Sequence, residues 1–132
     1  MITVTTSRKA DPLVRRIGRD LAFAAGGRYV TRGKGGLSQP PFSEGKLLVL
    51  SREGRGVRMQ LLDGGDEEAS LLFLSVREEP RSGPLRRGLF SGDDALVACL
   101  SPDLPVGRDE TPPSTLVFDG IQGRRVVLQD GP

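Results

Sequence analysis

The first 37 residues of this 132-residue chain constrain its fold most strongly, because they change periodicity twice in a short space. Alternating β-branched residues over 2–5 predict a strand, and residues 29–31 predict a second one. Between them, helical spacing of apolar residues predicts an amphipathic helix over Pro12–Ala25. Asp11 supplies its N-cap and Gly26 its C-cap. This strand, helix and strand order favours the α/β class, with a mixed sheet on which the helix packs.

The predicted helix has two chemically different faces. Apolar side chains recur at spacings of three and four on one face, and basic side chains fall largely outside that stripe. The apolar stripe is Leu13, Val14, Ile17, Leu21, Ala24 and Ala25, and the basic residues are Arg15, Arg16 and Arg19.

Basic clusters follow both predicted strands. The first cluster contains Arg8 and Lys9, and the second contains Arg32 and Lys34. Exits of neighbouring parallel strands lie at one edge of an α/β sheet, where ligands commonly bind. We therefore expect these four side chains to converge on one site.

Charge is distributed unevenly along the chain. Residues 1–34 contain eight Lys or Arg against two Asp, whereas the other 98 residues contain eleven basic and fifteen acidic residues. A compact basic segment with glycines that permit close backbone approach favours a polyanion, and RNA above others. The alternative is an ordinary solvated basic surface. The predicted RNA-binding residues are Ser7, Arg8, Lys9, Arg15, Arg16, Arg19, Arg28, Arg32, Gly33 and Lys34.

Two motifs in this segment resemble the start of the archaeal Brix-domain proteins. They are TTSRK at residues 5–9 and RYVTRGK at residues 28–34, and the segment that contains both, residues 1–34, is about a quarter of the chain. The resemblance implies a single Brix-like domain over residues 1–132, with pseudo-symmetric halves at 1–76 and 77–132. It also implies a fold similar to the anticodon-binding domain of some aminoacyl-tRNA synthetases.

The same resemblance implies a function in ribosome biogenesis and rRNA processing. On this interpretation the protein is a non-catalytic factor that binds ribosomal RNA or its precursor, with a ribosome-assembly protein as a further partner. The alternative is a protein–protein interaction module that makes no direct RNA contact and docks its partner through the acidic C-terminal part.

Composition argues against catalysis. The chain has no histidine and a single cysteine, Cys99, which lies in an apolar run and is predicted to be buried and inert. The glycine-rich loop around Lys34 lacks the spacing of a phosphate-binding loop. We therefore expect no enzymatic activity, no cofactor and no metal. The chain also lacks an 18-residue apolar run and a charged-then-apolar leader, so we expect a cytoplasmic location and no membrane partner.

The remaining sequence predicts mostly strands. We expect an antiparallel meander of three strands over residues 46–52, 57–62 and 69–77, with an acidic turn at 66–68 before the third. A loop is expected over 77–87, and irregular structure over 101–114 because of its four prolines. Residues 94–100 fit either a short helix or a strand. A terminal hairpin is expected from residues 115–118 and 124–129.

Two further groups of side chains allow two interpretations each. Tyr29 either stacks on an RNA base or packs its ring over the sheet. Arg81, Arg86 and Arg87 form either a secondary basic patch or, as we favour, ordinary surface charge.

Overall fold

The computed structural model describes residues 2–8, 10–31, 36, 45–112 and 114–129. Within them the chain forms ten strands, two α-helices and one short 3-10 helix. In chain order these are β1 (Thr3–Thr6), α1 (Pro12–Ala25), β2 (Arg28–Tyr29), β3 (Lys46–Glu53), β4 (Gly56–Asp63), β5 (Asp66–Phe73), β6 (Ser75–Pro80), β7 (Leu89–Ser91), α2 (Asp94–Leu100), β8 (Val106–Arg108), β9 (Thr115–Asp119), the 3-10 helix (Ile121–Gly123) and β10 (Arg124–Gln129).

Helix α1 has the predicted bounds because strong local signals define both of its ends. The Asp11 carboxylate accepts a hydrogen bond from the Val14 amide at 2.9 Å, and Pro12 occupies the first turn, where its missing N–H costs nothing. At the other end Gly26 takes a left-handed conformation with φ of 70°. The next amide, that of Gly27, donates to the Ala22 carbonyl.

The strands form two five-stranded sheets, where the sequence predicted one. The first sheet has the order β2-β1-β3-β4-β5, and the second has the order β6-β10-β9-β7-β8. The predicted third meander strand is divided at Leu74: residues up to Phe73 pair with β4, and residues from Ser75 pair with β10. The chain therefore passes from one sheet to the other within a single residue.

Several other predictions about the C-terminal two thirds need correction. The acidic residues 66–68 lie inside β5, because Gly64 and Gly65 with positive φ already make the turn. Strand β6 extends to Pro80, into the predicted loop; an edge strand can be this polar because one side of it meets water. Strand β8 lies inside residues 101–114, which were predicted to be irregular. It has three residues, as does β7, and three residues are too few to show the alternating pattern of a strand. Residues 94–100, for which the sequence allowed a helix or a strand, form a helix capped by Asp93, so the first alternative is confirmed.

The two sheets share a similar spatial order, as the predicted fold class implies. In each, a parallel strand pair flanks a helical crossover: β1 and β2 around α1, and β7 and β8 around α2. Within each sheet, the first strand of the pair has an antiparallel hairpin on its other side: β3–β4 lies beside β1, and β9–β10 lies beside β7. The halves differ in direction, since β3 runs parallel to β1 whereas β9 runs antiparallel to β7.

Helix α1 packs against both sheets and joins their cores. It contacts β1 and β3 of the first sheet and β9 of the second. Ile17 and Leu21 are fully buried in a cluster that also contains Leu50 from β3 and Phe118 from β9. The predicted amphipathic helix and its buried stripe are thus confirmed, while the predicted boundary between halves at residue 77 stays a prediction.

Candidate nucleic-acid interface

The parallel pairing of β1 and β2 places the exits of both strands at one edge of the first sheet. Thr3 pairs with Arg28 and Val4 with Tyr29. Beyond β1, the Ser7 amide donates to the Leu50 carbonyl at 2.9 Å, and Arg8 is exposed. Lys9, Arg32, Gly33 and Lys34 lie outside the described residues. Their convergence with Arg8 therefore stays a prediction.

Arg28 lies at the opposite end of this strand pair. It faces Thr3 at the start of β1, and its Nε donates to the Thr3 hydroxyl at 3.2 Å. The exit of β1 at Thr6 is three residues further on, which is about 10 Å at 3.3 Å per residue. The structure thus separates Arg28 from the edge that carries Arg8.

Arg16 is already paired within the protein. Its Nε and Nη2 donate to the two carboxylate oxygens of Glu78 at 2.8 and 2.6 Å. These hydrogen bonds and the positive charge of Arg16 hold the pKa of Glu78 below its usual value, although partial burial opposes the shift. Because a two-pronged pair of this kind satisfies much of the guanidinium, Arg16 holds α1 to β6 rather than offering free charge.

Arg15 and Arg19 differ from Arg16 because both are exposed and, among the described residues, neither has an acidic partner. They are four residues apart and so project from the same helix face. The guanidinium of Arg19 lies 5.3 Å from the centre of the Tyr29 ring. Among the described residues no carboxylate forms an ion pair with either arginine. Two positive charges on this face are therefore available to a ligand.

Tyr29 packs its ring within the protein, but against helix α1, whereas the packing interpretation placed the ring over the sheet. It is half-buried against the main core, and its ring passes directly over Gly18 of α1. A Cβ atom at residue 18 would lie only 2.9 Å from the Tyr29 Cε1. The absence of a side chain at Gly18 is what lets the ring lie against the helix.

Asp20, the one acidic residue inside α1, is completely buried and ties the helix to the second sheet. Its carboxylate accepts from the Ile121 amide at 3.1 Å, and from Nε and Nη2 of Arg124 at 3.2 and 3.1 Å. Gly120 makes this approach possible, since a Cβ atom there would lie 2.5 Å from Asp20 Oδ2. The connection between β9 and β10 is therefore docked onto α1.

This docking encloses a cleft of about 450 Å³. Arg15 and Arg19 line it from α1, Ile121 and Gln122 line it from the β9–β10 connection, and Asp20 and Arg124 lie between them. The volume is in the range of small-molecule sites. The sequence predicted the arginine wall but not the opposite one, because the two are about 100 residues apart and no local pattern links them.

Arg86 and Arg87 make specific contacts within the protein, which neither interpretation of these arginines predicted. Arg86 donates to Asp109 at 2.7 Å and lies 4.3 Å above the Phe90 ring. Arg87 lies 4.4 Å above the ring of Phe23. These cation–π contacts use the arginine faces for packing.

The structure also bears on Cys99, on metal-binding groups and on membrane-spanning helices. Cys99 is half-buried, whereas the sequence predicted a buried thiol, because the outer side of α2 remains partly open. In the described part of the chain no three His, Cys, Asp or Glu side chains are grouped so as to hold a metal ion. Over the same residues no helix is long and apolar enough to cross a membrane.

Solved structures share this fold. A crystal structure of Mil, an archaeal Imp4-like protein, aligns with a TM-score of 0.68 and 20% sequence identity, over 97% of each chain. A probable ribosomal biogenesis protein from Aeropyrum pernix K1 aligns with a TM-score of 0.58 and 18% identity, over 98% of this chain and 96% of that one. No protein-family model and no curated protein sequence matches this chain. At these identities the likeness establishes the two-sheet α/β fold.

Proposed function

We propose that this protein is a Brix-type, non-catalytic factor that binds ribosomal RNA or its precursor during ribosome biogenesis. The observation that carries the proposal is the pair Arg15 and Arg19, which are exposed on α1 without a carboxylate partner among the described residues. Two proteins of the same fold are described as Imp4-like and as a probable ribosomal biogenesis protein, which supports this choice of RNA.

The charges around α1 support an anionic ligand. Arg16 and Arg124 are offset by Glu78 and Asp20, so the uncompensated charge of this face comes from Arg15 and Arg19. A guanidinium binds phosphate through parallel hydrogen bonds, which suits an RNA backbone. In our proposal Ser7, Arg8, Lys9, Arg32, Gly33 and Lys34 extend the surface from the sheet edge. We also propose that the protein acts in the cytoplasm.

The test is the salt dependence of RNA binding by the double variant Arg15→Gln/Arg19→Gln. Affinity for a ribosomal RNA fragment is measured by fluorescence anisotropy at several salt concentrations. Each lost phosphate contact should reduce the slope of log affinity against log salt by about 0.7 to 0.9, and the double variant by about 1.4 to 1.8. Thermal stability should change little, because both side chains are exposed and neither forms an ion pair with a described carboxylate.

The matched control is Arg55→Gln/Arg108→Gln, which removes the same charge elsewhere. Arg55 is exposed between β3 and β4, and Arg108 is exposed on β8, where it forms an ion pair with the exposed Asp94. This control should keep the wild-type slope apart from a small general effect of net charge. Equal losses in the two double variants would contradict the assignment to α1. If neither variant alters binding at low salt, RNA is not the ligand and the protein-interaction alternative replaces it.

A further inference from the structure

We infer that the cleft between α1 and the β9–β10 connection holds one unpaired nucleotide of the bound RNA. This inference rests on the proposed function and adds a second wall, from the other sheet, to the arginine surface of α1. The cleft is lined by Arg15 and Arg19 on α1, by Ile121 and Gln122 from the β9–β10 connection, and by Asp20 and Arg124; Pro12 and Arg16, the latter paired with Glu78, complete the lining.

The charge of the cleft is confined to one wall. At the base, the guanidinium of Arg124 donates twice to the buried carboxylate of Asp20, so these charges offset each other. The surplus positive charge comes from Arg15 and Arg19 at the rim. A phosphate group is therefore best placed beside α1, and the rest of the nucleotide extends toward Ile121 and Gln122.

Gln122 is held in an uncommon backbone conformation that presents its side chain at the cleft. Its φ is 61°, a left-handed value that non-glycine residues rarely adopt, and Gly123 follows with φ of 71°. Such backbone conformations are concentrated at functional sites. Nη1 of Arg124 donates to the Gln122 Oε1 at 3.2 Å. Within the described residues the amide nitrogen of Gln122 has no acceptor, so its two hydrogens are available to a ligand.

Ile121 supplies an apolar surface next to this amide. It is 41% exposed, one of three large apolar side chains left so open in the described residues. Its backbone amide is anchored to Asp20, which fixes the side chain at the cleft.

This wall matches a nucleobase in two ways. The apolar side chain of Ile121 can pack against the face of the base, and the amide of Gln122 can donate to an acceptor on its edge. In a duplex those faces are covered by stacking and the edges by pairing. The cleft therefore suits a base that has left the stack, with Arg15 and Arg19 on its phosphate.

The experiment compares single-stranded with fully paired RNA. Gln122→Gly removes the side chain while keeping the left-handed backbone, and Gln122→Glu replaces the amide donor with an acceptor and a negative charge. Both should weaken binding of a 12-nucleotide oligouridine roughly five- to tenfold, and leave binding of a blunt-ended, fully paired RNA duplex unchanged. Gln60→Ala on β4 is the control glutamine and should alter neither. Melting curves verify that each variant is folded.

A second measurement does not depend on affinity. Oligouridine carrying one 4-thiouridine should crosslink on irradiation to the peptide that contains Ile121 and Gln122, and a blunt-ended, fully paired duplex carrying the same 4-thiouridine should not. A crosslink confined to other peptides overturns the assignment.

The outcomes separate the two proposals. If Arg15→Gln/Arg19→Gln weakens RNA binding but both Gln122 variants bind oligouridine normally, the cleft is not a nucleotide site and the RNA-binding function stands. If neither set has an effect, both proposals fail. If free uridine monophosphate displaces oligouridine at equal concentration, the cleft binds a free nucleotide and the inference is wrong.

Discussion

The substitution Asp20→Asn tests whether the buried carboxylate of α1 joins the two sheets. Asp20 accepts three hydrogen bonds, two of them from Arg124. An asparagine has the same shape, but it carries no charge and directs an amide group at a guanidinium that has only hydrogen-bond donors. With the asparagine oxygen in the place of Oδ1, the bonds from the Ile121 amide and from Nη2 of Arg124 can remain, whereas the bond from Nε of Arg124 and the charge of the pair are lost.

The expected cost follows from the burial of the two partners. Removing one partner of a buried ion pair costs about 3 to 5 kcal/mol. Asp20 has no exposed surface, but Arg124 keeps 27% of its side chain in water and still has Glu78 at 3.7 Å. We therefore expect a loss of about 2 to 4 kcal/mol. For 132 residues this corresponds to a fall in melting temperature of roughly 7 to 14 °C.

Urea unfolding followed by circular dichroism measures this loss. The control is Asp94→Asn, because Asp94 pairs with Arg108 on the surface, where both side chains are more than half exposed. That change should cost less than about 0.5 kcal/mol. A loss below about 1 kcal/mol for Asp20→Asn, with an unchanged urea dependence, would refute the argument that this carboxylate holds the β9–β10 connection to α1.

The sequence correctly predicted those helices and strands whose ends are fixed by residues adjacent in the sequence. Helix α1 is the clearest case, since Asp11 and Gly26 satisfy its terminal groups without help from distant residues. Strand β10 has the predicted bounds, and β9 extends only one residue further, to Asp119. Residues 69–77 behave differently. Their apolar content predicts one strand, but the sheet that each residue joins depends on which partner, β4 or β10, lies beside it.

The candidate site shows the same limit. Sequence reasoning grouped Arg15, Arg16 and Arg19 as equivalent basic residues on one helix. The structure shows that they are not equivalent, because Arg16 donates its hydrogen bonds to Glu78, which lies 62 residues away in the sequence. Sequence analysis missed the cleft wall at Gln122 for a related reason. The left-handed backbone of Gln122 is visible only in the structure, because no pattern of residue types predicts it.

Two further predictions concern stability. Leu21→Ala should lower the free energy of unfolding by roughly 2 to 5 kcal/mol, because the Leu21 side chain is fully buried between the sheets; a loss under about 0.5 kcal/mol in urea would place α1 outside the core. The second prediction concerns acid. The pKa of Glu78 is lowered chiefly by the hydrogen bonds from Arg16. Burial is the largest single influence on the pKa of Asp119 and raises it, but the bonds from the Arg86 amide and the Arg125 side chain, together with the charges of these arginines, lower it overall. A carboxylate whose folded pKa is depressed stabilises the protein above its unfolded pKa, about 4.3 for Glu and 3.9 for Asp, and this contribution is lost as the pH falls to the folded value. The urea midpoint should therefore be nearly constant from about pH 7 to 5.5 and decline below about pH 4.5. Glu78→Gln should lower the midpoint at neutral pH and make the decline shallower, since the variant has no proton to take up at that site. A decline as steep as that of the wild type would show that the pair of Arg16 and Glu78 contributes nothing to folding.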